Sequence, residues 1–218
     1  MSKYKILLVT RPNHDLTVRY LSAWGQKVIA EAKKKGIKVL ELKDKRANKQ
    51  ELESMIKKHN PALIFLNGHG DKNSVAGQDD KNLVSLGDKN EEILSGSITY
   101  ALACQSAKSL GVQATKDNFS AYIGYQEDFI FYLDQTKATR PLEDEVAKLF
   151  FEPSNQVVIS LLKGNTASDA NLNSRKFFAR NIQKLLSSEA SSESGQYIKY
   201  LWWNMKNQVC LGNGDYKF

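Results

Sequence analysis

Two apolar runs that end abruptly in reactive residues constrain this chain more than anything else in it. Ala62 to Leu66 runs into Asn67-Gly68-His69-Gly70, and Ile98 to Ala103 stops at Cys104. Short continuous apolar runs bounded by turn residues fit strands buried on both faces of a sheet. In an open parallel sheet, ligands sit in the crevice outside the carboxyl ends of the strands. Two such ends side by side would set His69 and Cys104 on one functional edge.

The flanking sequence supports an α/β fold. Tyr4 to Thr10 (YKILLVT) predicts a first buried strand, and Arg11 to Asp15 a loop in which Asn13 or Asp15 caps a helix reaching about Lys35. Lys33, Lys34 and Lys35 complement the dipole at that helix's end, and Gly36 suits its C-cap. Val39 to Leu42 reads as a second strand. Glu51 to Lys58 reads as a helix capped near Asn48 and ended by Asn60-Pro61. The β-α-β-α-β order implies right-handed parallel crossovers and a doubly wound sheet.

Further along, Asp71 to Asn90 is polar, and only Leu83 to Leu86 looks strand-like. This stretch reads as a long loop or hairpin at the active edge, and a loop of that length in a compact domain is usually functional. A short helix near Glu91 to Leu94 follows. Ser120 to Gly124 is the fifth strand. Helices are expected at about Pro141 to Phe151, Gln156 to Lys163, Ala167 to Leu186 and Gln196 to Lys206, with Ser187 to Ser194 as a surface connection. Val209 to Leu211 supplies a terminal strand.

Composition narrows the setting. At 218 residues the chain suits one α/β domain, 1–218, with a well-buried core. The formal charge of +7 comes from lysines spread over helices and loops. That is a solvated surface, so no nucleic-acid contact is expected. Two cysteines make no disulfide framework. The N-terminal apolar core, Ile6 to Val9, is too short for a signal peptide or a membrane span. The expectation is a reducing, cytoplasmic setting without membrane contact, in which Cys104 remains a thiol.

A thiol becomes a strong nucleophile only on ionising, and a neighbouring imidazole is the usual activator. Histidine can also return the proton to a leaving amine, so the pair suits acyl transfer. Gly70 could offer a backbone N–H to the attacked carbonyl and, with the N–H of Cys104, form an oxyanion hole. Ala101, Ala103 and Ala107 would leave room for a substrate backbone. Singly, a histidine in a glycine turn is a loop residue and a cysteine at a strand end a small hydrophobe. Together, at the ends of consecutive strands, they make a nucleophile and its base. Cys210 reads as core, and Trp202-Trp203 as a pair of which one faces the core, against the alternative of a partner surface. His14 and His59 read as a capping loop and a helix end. No metal-ligand spacing joins them to the cysteines, so neither a metal nor a cofactor is expected.

The motifs LNGHGD (Leu66 to Asp71) and ALACQSA (Ala101 to Ala107) resemble those of the caspase-like (clan CD) cysteine peptidases, which include caspases, metacaspases, separase, gingipains and the CHAT-domain proteases. AYIGY (Ala121 to Tyr125) and VCLGNGD (Val209 to Asp215) look similar to the fifth and terminal strands of CHAT-type domains. The resemblance implies a caspase-like three-layer sandwich: a mostly parallel six-stranded sheet with helices on both faces. It implies Cys104 as nucleophile, His69 as general base and acid, and the Gly70 N–H as oxyanion donor. A protein or peptide would be the substrate, and a separate regulatory or activating protein a partner.

The sequence departs from the caspases proper. ACQSA lacks their Gln-Ala-Cys-x-Gly form, and no pair of arginines is placed for an acidic P1 side chain. Glu127 and Asp128, just past the fifth strand, are instead candidates to hold a basic P1 residue. Asp71 is a candidate for substrate contact or for orienting the histidine. Two competing readings stand beside the peptidase. One is a catalytically silent caspase-like scaffold that binds a partner protein. The other, a doubly wound nucleotide-binding protein, lacks a phosphate loop, since neither GK[ST] nor a third glycine follows Gly68-x-Gly70.

Overall fold

Alternating side chains divide the strands of one sheet between two hydrophobic cores, and that division sets the architecture. The computed structural model describes residues 5–187 and 195–218. Its strands are β1 (Ile6–Arg11), β2 (Lys38–Lys43), β3 (Leu63–Asn67), β4 (Gly70–Asp71), β5 (Ser74–Ala76), β6 (Asn82–Ser85), β7 (Ile98–Leu102), β8 (Ala121–Tyr125) and β9 (Gln208–Gly212). Six of them form the main sheet in the order β2-β1-β3-β7-β8-β9, parallel except for the β8–β9 pair. In β3, Leu63 and Phe65 join one core while Ile64 and Leu66 join the other. The same alternation separates Leu7 and Val9 from Leu8, and Ile98 and Tyr100 from Ala101. A period of two with both faces apolar is what covering layers on each side require.

Helices supply those layers. Helices α1 (Leu16–Lys34), α4 (Glu145–Leu162), α5 (Ala167–Leu186) and α6 (Gly195–Asn207) contribute to the first core, through residues such as Trp24, Phe151, Phe178 and Leu201. Helices α2 (Lys49–His59) and α3 (Leu110–Ala114) contribute Leu52, Ile56 and Leu110 to the second. The three-layer sandwich and its mostly parallel six-stranded sheet follow the sequence expectation.

Local signals explain the helix ends. The Asp15 side chain accepts from the Val18 N–H to start α1, and Asn48 accepts from Glu51 to start α2. Asn60 ends α2 in the left-handed region at φ 45°, where asparagine is tolerated.

Two expectations are corrected. Residues 71–90 carry more order than a long loop or one hairpin, because β4, β5 and β6 form a separate antiparallel sheet in sequence order. Its strands are too short for a period of two to emerge from the polar background. The two helices expected around Pro153 are one, α4, preceded by a 3₁₀ turn at Pro141–Glu143. An interior proline removes the N–H that would bond the carbonyl four residues back, here that of Leu149. The Asn181 side chain on α5 donates to that carbonyl at 2.8 Å instead, so the helix continues across the break. Helix α3 has no counterpart in the sequence reading. Of the predicted connection Ser187 to Ser194, all but Ser187 lies outside the described residues, as does Tyr4 of the predicted first strand.

Candidate active site

Register brings the two reactive residues together. β3 and β7 pair in parallel from Leu63 with Ile98 to Asn67 with Leu102, so each chain leaves the sheet two residues before its reactive side chain. The ends of β1 and β3 are stapled beyond their ladder. Thr10 Oγ1 accepts from the Asn67 N–H at 2.9 Å, and Asn67 Nδ2 donates to the Thr10 carbonyl at 2.9 Å. Both side chains are buried. The staple fixes the spacing of the loops that follow β1 and β3.

Glycines let the two reactive loops touch. A Cβ at Gly70 would stand 2.8 Å from the Cys104 carbonyl oxygen and 2.9 Å from the Ala103 Cβ, and one at Gly68 would collide with the Ala76 carbonyl oxygen. Ala76 donates its N–H to the His69 carbonyl at 2.9 Å. In a trans peptide the next N–H points the opposite way, so the Gly70 N–H is turned away from β5. Among the described residues β4 is an edge strand, so that N–H has no ladder partner there.

His69 is held from β1's side of the sheet. Its Nε2 lies 2.7 Å from Asp15 Oδ2, while Asp15 Oδ1 accepts from the Val18 N–H at 2.9 Å. A carboxylate only accepts, so Nε2 carries a proton, and in the neutral ring Nδ1 keeps the lone pair. One side chain thus caps α1 and orients the histidine. Burial alone would raise the Asp15 carboxyl's pKa, but hydrogen bonds from His69 and Val18 outweigh it and hold the group below its ordinary value.

Cys104 sits in a more enclosed setting. It lines one cavity with His69, Gly68, Thr17, Phe129 and Phe131, of about 20 Å³, room for a single water. Its Sγ lies 3.9 Å from the Phe129 carbonyl. Burial pushes the thiol's pKa up, and the Asp128 carboxylate pushes it the same way. The resting residue is therefore a thiol that needs a base, not a preformed thiolate.

The other sequence-nominated residues surround this pair unevenly. Asp128 accepts from Gln105 Nε2 at 2.9 Å, next to Cys104, and Glu127 is paired with Lys108 at 2.9 Å. Helix α6 pins the segment they lie on, since Trp203 Nε1 donates to the Asp128 carbonyl and Asn204 Oδ1 accepts from the Ile130 N–H. Trp202 is exposed and Trp203 half-buried, and neither is among the residues of the two cores, contrary to the expectation that one would face inward. Asp71 is exposed and accepts from the Asn73 N–H at 2.6 Å. It borders an open groove of about 410 Å³ that also includes His69, Gly70 and Asp80. Cys210 is half-buried against the first core.

Sequence reasoning missed Asp15, which it read only as a helix cap. The available signal was position. Asp15 follows β1 and His69 follows β3, the neighbouring strands between which the strand order reverses. That is where an open α/β sheet binds its ligands.

The sheet order, its two helical layers and the loops at its carboxyl edge define a caspase-like fold. The chain is similar to the solved complex of the pro- and mature domains of RgpB from Porphyromonas gingivalis, with a TM-score of 0.60 and 11% identity. The match covers 98% of this chain and 48% of that one, so the chain spans about half the neighbour's length. At that identity the likeness establishes the fold. No protein-family model matches the sequence, and no curated protein does. Among the described residues, no helix is long and apolar enough to cross a membrane.

Proposed function

We propose that this chain is a caspase-like cysteine endopeptidase domain that works through His69 and Cys104. The observation that carries the reading is the histidine's double engagement. Asp15 holds one ring nitrogen, while His69 and Cys104 line one cavity. His69 Nδ1 takes the Sγ proton as sulfur attacks the peptide carbonyl, and the N–H groups of Gly70 and Cys104 receive the oxyanion. His69 then protonates the departing amine, leaving a thioester on Cys104. Water, deprotonated by the same nitrogen, hydrolyses the thioester and regenerates the thiol.

A basic P1 residue is the favoured substrate feature. Asp128 lies beside the nucleophile and faces no lysine or arginine closely among the described residues, whereas Glu127 is occupied by Lys108. Asp71 and the groove beside His69 would contact the substrate elsewhere. The nearer likeness to CHAT-domain proteases, carried by the β8 and β9 segments, belongs to the same proposal. So does control by a separate protein in a cytoplasmic setting. The RgpB structure, a complex of pro- and mature domains, adds weight to the idea of such a protein partner.

A scaffold role is the second reading, favoured by the protonated thiol and by a cavity with room for one water. Turnover of fluorogenic peptides bearing P1 Arg, Lys, Leu or Asp decides between them. Hydrolysis that is fastest with Arg or Lys and abolished by Cys104→Ala supports the peptidase. No turnover of any peptide, with Cys104 no more reactive than Cys210, supports the scaffold.

A further inference from the structure

His14, Asp15, His69 and Asp80 converge from three separate turns. The first two lie between β1 and α1, His69 follows β3, and Asp80 belongs to the 3₁₀ turn Gln78–Asp80 between β5 and β6. One donor atom from each lies within 4.8 Å of all the others. We propose that these four side chains bind a zinc-type divalent cation, and that binding withdraws His69 from catalysis.

The geometry suits a tetrahedral ion. Zinc bonds of roughly 2.0–2.2 Å to nitrogen and oxygen give tetrahedron edges of about 3.3–3.6 Å. His69 Nε2 is 2.7 Å from Asp15 Oδ2, and His14 Nε2 is 3.1 Å from Asp80 Oδ1 and 3.5 Å from Asp15 Oδ2. Small movements would open this cluster onto one centre. Two imidazoles with two carboxylates favour zinc over the all-oxygen ions calcium and magnesium. Among the described residues, neither Asp15 nor Asp80 pairs with a lysine or arginine; both face these histidines instead. His69 and Asp80 also border the open groove beside the site, which gives an ion access from solvent.

One existing bond opposes coordination and marks where the protein must adjust. The Asp79 N–H donates to His14 Nδ1 at 3.1 Å, so the His14 proton now sits on Nε2. A metal at Nε2 moves that proton to Nδ1, and the Asp79 N–H must turn away. Asp79 and Asp80 are exposed and both hold left-handed φ of 57°, a conformation that non-glycine residues adopt at some cost.

The consequence for catalysis rests on the peptidase reading; the binding itself does not. A metal on His69 Nε2 displaces the proton held towards Asp15, and a neutral ring then carries its proton on Nδ1. That is the nitrogen the thiol needs as a base. The same ion takes the Asp15 oxygen that orients the ring.

The test is zinc competition against a chromophoric chelator, run on wild type, Cys104→Ala, His14→Ala and Asp80→Asn. Wild type and Cys104→Ala are expected to bind one zinc with equal affinity, and His14→Ala and Asp80→Asn at least tenfold more weakly. Asp80 is exposed, so its variant keeps the test decisive if His14→Ala does not fold. Cobalt substituted for zinc should show tetrahedral absorption without a thiolate-to-cobalt band. No binding, binding lost in Cys104→Ala, or binding unchanged in both other variants overturns the site. In peptide turnover, zinc should inhibit reversibly on addition of chelator, and the His14 and Asp80 variants should need at least tenfold more. Zinc bound by the four residues without inhibition overturns the regulatory claim. A protein without peptidase activity that binds zinc as described overturns only the peptidase reading.

Discussion

Asp15 and His69, 54 positions apart in the chain, share a 2.7 Å hydrogen bond, and the second oxygen of the same carboxylate caps α1 at the Val18 N–H. The loop that begins the first helix therefore also orients the His69 imidazole. Asp15→Asn and Asp15→Ala separate these roles. Asparagine is a good N-cap and lacks only the charge, so Asp15→Asn should keep near wild-type stability and lose roughly 10²-fold in kcat, the scale of acid–base assistance. Asp15→Ala should lose similar activity and a further ~1 kcal/mol of stability in urea unfolding.

The sign of the Asp15 pH dependence follows from its lowered pKa. Its stabilisation is complete above the ordinary carboxylate range and is lost as pH falls through the folded-state value. The pair is partly exposed, with both side chains 39% accessible, so the effect should stay below about 1 kcal/mol. Wild type should exceed Asp15→Asn by that margin at neutral pH, and the two unfolding curves should converge in acid.

Burial, and with it the Asp128 carboxylate, pushes the pKa of the Cys104 thiol up. Removing the negative charge favours the thiolate. Asp128→Asn should move the midpoint of iodoacetamide labelling at Cys104 to lower pH, so labelling at about pH 8, near the ordinary thiol range, becomes faster than in wild type. If a P1 cation binds there, the same variant should raise KM for Arg and Lys peptides while leaving Leu peptides unaffected.

Asn67 and Thr10 lock the ends of β1 and β3 in a buried setting. Asn67→Ala leaves the Thr10 carbonyl without its side-chain donor, and an orphaned buried group costs roughly 1–3 kcal/mol. Thermal unfolding should show that loss. Gly70→Ala should behave differently, because its methyl strikes the backbone at Cys104. It should cut kcat at least tenfold even where the fold survives at the assay temperature.

Much of this site was legible in the sequence, for a simple physical reason. Leu63 to Asn67 and Ile98 to Leu102 are buried on both faces, so their apolar runs were unbroken and their ends sharply marked by His69 and Cys104. The sequence did not disclose what depends on contact across the fold. Asp15 looked like a cap because capping is local, whereas its bond to His69 depends on the order of β1 and β3. His14 carried no metal spacing because its neighbours His69 and Asp80 arrive from distant turns. The helix through Pro153 read as two because the Asn181 donor that bridges the break comes from α5.

The most direct test of the central claim is intact-mass analysis after labelling the native protein with a P1-Arg peptidyl electrophile, comparing wild type, Cys104→Ala and His69→Ala. The expected result is one adduct on wild type, none on Cys104→Ala, and labelling roughly 10²-fold slower or more on His69→Ala. Equal labelling of Cys104 with and without His69, at a rate no greater than that of Cys210, would contradict a working dyad.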